Sequence, residues 1–242
     1  MDSKKVLKNI IEAKRKNPYT ESKTIDQLRK ETETAGSLIP LPRNIKYKRV
    51  AAGNVDAEWI TCGEVNENKI FMFMHGGGYY RGSVAATRAT VARISAEAKV
   101  KCLSIEYRLA PEHPFPAAID DTYLAYQWLL NAGISPKHII VSGQSAGGGL
   151  CLALLLKIKE NNISQPLGAV ALSPWTDLSQ SGKTMIKNES NLILIERREH
   201  NSLPLSIYDG IKHTSKENVM WLDSDGSMGI EAIEKLIENF KE

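Results

Sequence analysis

The chain has 242 residues, 42% of them hydrophobic and 24% charged, with a net charge of +3 at neutral pH. It is long enough for one domain with a substantial core, and so small a charge, with lysines and acids interspersed, argues against a nucleic-acid or anionic-membrane surface. Three widely spaced cysteines, Cys62, Cys102 and Cys151, form no Cys-x-x-Cys pair, so the expectation is reduced, buried thiols in a cytoplasmic protein rather than a zinc site or a disulfide framework.

Residues 3–16 and 21–36 read as two helices split by Asn17-Pro18, with Val6, Leu7, Ile10 and Ile11 at helical spacing. The lysine-rich start lacks the apolar run and small-residue cleavage site of a signal peptide. Residues 1–40 are expected to form a helical, cap-like segment or a simple extension of a single domain over 1–242. Pro40 and Pro42 mark a loop. Residues 45–52 and 55–62 resemble two strands joined at Gly53-Asn54, a hairpin.

From there strand and helix alternate. Residues 69–74 form a strand, 87–99 a helix, 100–107 a strand, 116–131 a helix, 138–142 a strand, 149–160 a helix and 167–172 a strand. That order predicts an α/β fold with a mainly parallel, doubly wound sheet and an antiparallel edge supplied by the hairpin. The longest apolar stretch, 150–156, is too short to span a bilayer. After Leu178 the alternation fades. Residues 205–208 read as a last strand, and Ile230, Ile233, Leu236, Ile237 and Phe240 define an amphipathic terminal helix.

Two motifs stand at the ends of predicted strands. Gly143-Gln144-Ser145-Ala146-Gly147 follows the strand at 138–142 and precedes a helix, the context of a nucleophile elbow, which pushes one serine hydroxyl out of the sheet. His75-Gly76-Gly77-Gly78 follows the strand at 69–74 and can aim bare backbone N–H groups at the oxyanion of an attacked ester carbonyl. Together they point to acyl-ester hydrolysis. A phosphate loop is disfavoured, because the glycine run lacks both the Lys-Ser/Thr of a P-loop and the spacing of a dinucleotide fingerprint.

These words, with Tyr107-Arg108-Leu109-Ala110-Pro111-Glu112-His113-Pro114-Phe115-Pro116-Ala117 and Ser173-Pro174-Trp175-Thr176-Asp177-Leu178, resemble the hormone-sensitive-lipase-like branch of the α/β-hydrolase esterases over residues 40–178. The resemblance implies Ser145 as nucleophile, an oxyanion hole from the N–H groups of Gly77, Gly78 and Ala146, and no metal or organic cofactor. By the same likeness His213, in the run Ile207 to His213, is the base. Tyr79, Tyr80 and Trp175 are expected near the pocket mouth, as substrate contacts or as ordinary packing. His75 and His113 are expected to be structural, His138 exposed, and His200 an alternative base. Glu106, Arg108 and Glu112 are expected to form a buried ion-pair network, and Asp120 and Asp121 to favour a helix N-terminus.

The chain departs from that pattern where the acid should be. Triad order in this fold is serine, acid, histidine, yet only 28 residues lie between Leu178 and Ile207. The acid-bearing strand and one helix are expected to be missing, giving a shortened C-terminal part. Glu196 or Glu199 serves as acid if 192–195 acts as the strand; Asp209 is a further candidate, and a Ser–His dyad or a site with no working base remains. Gln144 stands where the family usually carries an acid. The expectation is a serine carboxylesterase for small or short-acyl esters, the alternative a catalytically impaired relative. A shortened sheet predicts self-association, as a homo-oligomer, or low thermal stability.

Overall fold

A computed structural model describes residues 23–176, residue 178 and the backbone of residues 219–222. Helix α1 (Ile25–Ser37) precedes strands β1 (Ile45–Ala52), β2 (Val55–Cys62) and β3 (Asn66–Met74). Then come α2 (Val84–Ala98), β4 (Val100–Ile105), α3 (Ala117–Asn131), a short 3-10 turn (Pro136–His138), β5 (Ile139–Gln144), α4 (Ala146–Glu160), β6 (Gly168–Leu172) and β7 (Val219–Leu222).

The strands form one sheet in the order β1-β2-β4-β3-β5-β6-β7. β1 and β2 pair antiparallel from Ile45 opposite Cys62 to Ala52 opposite Val55, and β2 runs antiparallel to β4. Every other pairing is parallel. The hairpin therefore closes at Gly53 and Asn54, both at positive φ, as a two-residue loop of this kind requires. The outer strand β1 keeps Lys46, Lys48 and Arg49 in solvent, charges that blunt an open edge.

Helices cover both faces. On one side α2 packs on Ile60, Phe73 and Cys102, and α1 rests on α2. On the other, Tyr126 and Leu129 of α3 and Leu150, Cys151, Leu154 and Ile158 of α4 close over Met72, Met74, Ile105 and Val141. Each such fully buried side chain contributes about 1.5–3 kcal/mol. β5 lies between β3 and β6 with Ile139–Gly143 buried, which is why its sequence is apolar without alternation.

Local signals set several element ends. Thr24 and Gln27 cap α1 reciprocally, and the Ser83 hydroxyl accepts from the Ala86 N–H at the start of α2. The three cysteines are buried and unpaired with one another; burial pushes the Cys151 thiol up to about 12, so it stays protonated and unreactive. Among the described residues no helix is long and apolar enough to cross a membrane.

Candidate active site

β5 runs directly into α4 through one residue. Ser145 has φ 54° and ψ −116°, a sparsely populated conformation for a residue with a Cβ, costing about 1–3 kcal/mol. Three hydrogen bonds hold it there. Its N–H donates to the Leu172 carbonyl at 2.9 Å, and its own carbonyl accepts from Trp175 N–H at 2.9 Å and Gly149 N–H at 3.0 Å. Ser145 is exposed, as is Gln144 before it, while the rest of β5 and the start of α4 are buried. The first intrahelical N–H of α4 is thus that of Gly149. The N–H groups of Ala146, Gly147 and Gly148 have no acceptor within the helix and carry the positive end of its dipole.

The glycine loop lies against this bend. A Cβ on Gly76 would sit 3.0 Å from the Gln144 carbonyl oxygen and 3.4 Å from the Ser145 Cβ, so a larger residue would fit there only if the neighbouring backbone gave by a few tenths of an ångström. Gly77 (φ 129°) and Gly78 (φ 64°) then turn the chain away, and the Gly77 carbonyl accepts from the N–H groups of Tyr80 and Arg81. Two motifs some seventy residues apart in sequence thereby meet at the C-terminal ends of β3 and β5, where sites form in sheets of this kind.

His75 anchors the loop from below. It is fully buried, and its Nδ1–H donates to the Gly76 carbonyl at 2.8 Å. Its ring stacks on Tyr107 at 4.3 Å, whose hydroxyl donates to the His75 carbonyl at 2.7 Å. Among the described residues its Nε2 has no hydrogen-bond partner, and it faces Glu106 Oε1 at 3.8 Å. Burial lowers the imidazole to about 4, the bond to Gly76 opposing weakly. A neutral, inaccessible ring holds backbone rather than moving substrate protons, in line with the structural role expected for it.

A pH dependence follows. Unfolded His75 takes up a proton near its ordinary 6.5, the folded ring only near 4. Between those values the unfolded state binds more protons, so stability falls as pH falls. The expected loss is about 3 kcal/mol between pH 7 and pH 4. Urea titrations of wild type and His75→Asn isolate it: the variant should lack that slope. Burial raises Glu106, against the Val84 N–H that it accepts, with the opposite sign, but both proteins share that contribution. Parallel stability-against-pH curves would contradict the account.

Tyr79 and Trp175 stand beside the bend. Their rings are 6.1 Å apart, and the Tyr79 hydroxyl lies 3.3 Å from where a Cβ on Gly149 would be. Burial raises the Tyr79 phenol. Tyr80 belongs to the same loop, its ring under the Arg81 guanidinium at 5.4 Å. The structure thus brings together Ser145, Ala146, Gly76, Gly77, Gly78, Tyr79 and Trp175. His213, Glu196, Glu199, Asp209 and His200 lie outside the described residues, as does the strand expected at 205–208.

Two expectations need correction. Glu106, Arg108 and Glu112 do not form a single network. Glu106 accepts from Val84 N–H at 2.9 Å, Arg108 pairs with Asp121 at 2.7 Å, and Glu112 pairs with Arg29 at 2.7 Å. All three lie beyond the end of β4, where no strand alternation sets their direction, and each meets a different helix: α2 at Val84, α3 at Asp121 and α1 at Arg29. Asp121 is a buried partner of Arg108, also accepting its backbone N–H, rather than a mere helix-dipole charge; Asp120 lies in the first turn of α3, as expected, and also pairs with Lys157. Sequence reading missed Arg29 and the Tyr107 hydroxyl. Tyr107 sits in a quoted word, while Arg29 carries no local signal.

The comparisons agree with this fold. A family model described as alpha/beta hydrolase fold matches residues 71–214. An esterase of Acinetobacter venetianus is 30% identical over 182 residues, covering 75% of this chain and 57% of that protein. An acetyl-hydrolase of Streptomyces hygroscopicus is 33% identical over 170 residues, covering 64% and 56%. The crystal structure of an esterase from the bacterial hormone-sensitive lipase family superposes with a TM-score of 0.69 at 38% identity, covering 74% of this chain and 60% of that one. The chain therefore spans under two thirds of the length of each.

Proposed function

The chain belongs to the α/β-hydrolase fold family, and from that premise we propose that it is a serine carboxylesterase acting on small or short-acyl esters. The observation that carries the reading is the bend at Ser145: an exposed hydroxyl in a forced backbone conformation, against a glycine loop and at the N-terminus of α4. In this proposal Ser145 Oγ attacks the ester carbonyl carbon and His213 removes its proton. The carbonyl oxygen takes up negative charge and is met by the N–H groups of Gly77, Gly78 and Ala146. Collapse expels the alcohol, which takes the proton from His213. Water, deprotonated by the same histidine, then releases the acid and frees Ser145. Tyr79, Tyr80 and Trp175 line the entrance. The protein acts in the cytoplasm as a single domain, with residues 1–40 as its cap-like segment, and self-associates through the open end of its sheet.

Glu196 is proposed as the acid that orients His213. A second assignment, which places the acid after the histidine and so departs from the usual order of this fold, has a structural basis. β7 pairs in parallel with β6, setting Leu222 level with Leu172 at the elbow's end of the sheet, and the next residue in the sequence is Asp223. Hydrolysis of p-nitrophenyl acetate by Glu196→Gln and Asp223→Asn decides between them. The acid is the residue whose replacement lowers kcat by on the order of 10⁴-fold. Wild-type turnover no faster than that of Ser145→Ala would sink the esterase reading and favour an impaired relative.

A further inference from the structure

Helix α1 has no buried residue, so burial of an apolar face does not explain why it lies where it does. Besides its packing on α2, Arg29 ties it to the body by four hydrogen bonds. The Nε–H donates to the Tyr80 carbonyl at 2.8 Å. Nη1 donates to Glu112 Oε1 at 2.8 Å, while Nη2 donates to Glu112 Oε2 at 2.7 Å and to the Ala110 carbonyl at 3.0 Å. One guanidinium thus joins three segments: α1, the loop after β3 and the proline loop between β4 and α3. The two loops are also joined directly, by the Ala110 N–H to the Tyr79 carbonyl at 2.8 Å.

The loop after β3 passes the constraint on. The N–H groups of Tyr80 and Arg81 both donate to the Gly77 carbonyl, and a Cβ on Gly77 would lie 2.0 Å from the Arg81 carbonyl oxygen. The peptide that Arg29 grips is therefore packed against the residue whose N–H is assigned to the oxyanion. We infer that Arg29 is a positioning residue: through its fork it fixes the loop carrying Gly77 and Gly78, and so makes α1 a working part of the ester-hydrolysing site. The inference rests on the proposed function for its effect on rate, though not for the bracing itself.

A lysine cannot replace it. An ammonium is a point donor, without the planar fork that serves a carboxylate edge and two carbonyls at once. The brace is also insensitive to ordinary pH. Arg29 holds the Glu112 carboxyl down at about 2, below its unfolded value, so the pair is complete above the usual carboxylate range and is lost only as pH falls toward 2.

The test uses Arg29→Lys, Arg29→Gln and Glu112→Gln in the full chain, with p-nitrophenyl acetate as substrate and amide hydrogen exchange as a second readout. Both Arg29 variants should lose kcat by on the order of 10²-fold, as misplaced catalytic groups do, with KM nearly unchanged and the loss constant from pH 5 to 9. Glu112→Gln, which leaves both carbonyl contacts, should lose less. Exchange should quicken in residues 76–82 and stay unchanged in residues 139–150. Unchanged kcat in both Arg29 variants of an active enzyme would overturn the inference. So would exchange that quickens equally in both segments, since that describes general loosening. If wild type fails to hydrolyse the ester, the esterase reading fails and exchange alone decides the bracing. If neither Arg29 variant folds, Glu112→Gln decides it by the same comparison of the two segments.

Discussion

Replacing Ser145 by alanine is expected to lower kcat toward p-nitrophenyl acetate by on the order of 10⁴–10⁶-fold while leaving the fold intact. The exposed hydroxyl makes no hydrogen bond that the sheet or α4 needs; the bend is held by the backbone groups of Ser145, Leu172, Gly149 and Trp175. Replacing it by glycine should abolish activity equally but raise stability. At φ 54° a Cβ is strained, and glycine is not. Ser145→Gly should therefore be more stable than Ser145→Ala by about 1–2 kcal/mol, read from urea midpoints at constant m-value. The pair separates two roles that one position carries, reactivity and strain. Equal stability of the two variants would show that the bend costs nothing; wild-type turnover by either would remove Ser145 from the chemistry.

Replacing Gly147 by alanine is expected to damage the fold severely. A Cβ there would lie 2.2 Å from the Met74 carbonyl oxygen and 2.4 Å from that of His75. Both acceptors are backbone, at the end of β3, so no side chain can swing aside. Gly143 faces the same crowding: its Cβ would meet the Gly147 carbonyl oxygen at 2.1 Å. Relief requires α4 to move off the sheet, parting the helix that carries Ala146 from the loop that carries Gly77. A loss of more than about 4 kcal/mol is expected for Gly147→Ala, beyond the range of ordinary substitutions. Denaturant unfolding checks it, and a loss below about 1 kcal/mol would show that α4 is not pressed against β3 in this way.

Local chemistry made most of the sheet legible. The hairpin over 45–62 was readable to the residue, because Gly53-Asn54 allows only a tight turn between two strand-like runs. Helix α2 begins at Val84, earlier than the apolar periodicity indicates, because Ser83 caps it. Helix α4 begins at Ala146, where three glycines of low helix propensity hide it. The elbow, not propensity, starts that helix. Strand β7 went unread: Val219–Leu222 is four residues long, and its pairing with β6 bridges a gap of some fifty residues that no local pattern announces.

Within the site, sequence gave residue types and order but not long-range partners. Ser145 and the glycines at 76–78 could be named from their flanking runs. That Gly76 abuts Ser145, or that Asp121 turns inward to Arg108, depends on how strands stack. Arg29 meets Glu112 across 83 residues, and neither looks unusual where it stands. The resemblance to the hormone-sensitive-lipase-like esterases added the expectation of His213 as base and of an acid, both outside the described residues.

The most direct test of the ester-hydrolase account is reaction of the native chain with a fluorophosphonate, followed by mass spectrometry of its peptides. Attack by an activated serine on phosphorus, with loss of fluoride, should leave one phosphonyl group on Ser145, in step with the loss of p-nitrophenyl acetate hydrolysis, and none on Ser145→Gly. A folded wild-type chain that remains unlabelled at Ser145, or that loses activity through modification elsewhere, would contradict it.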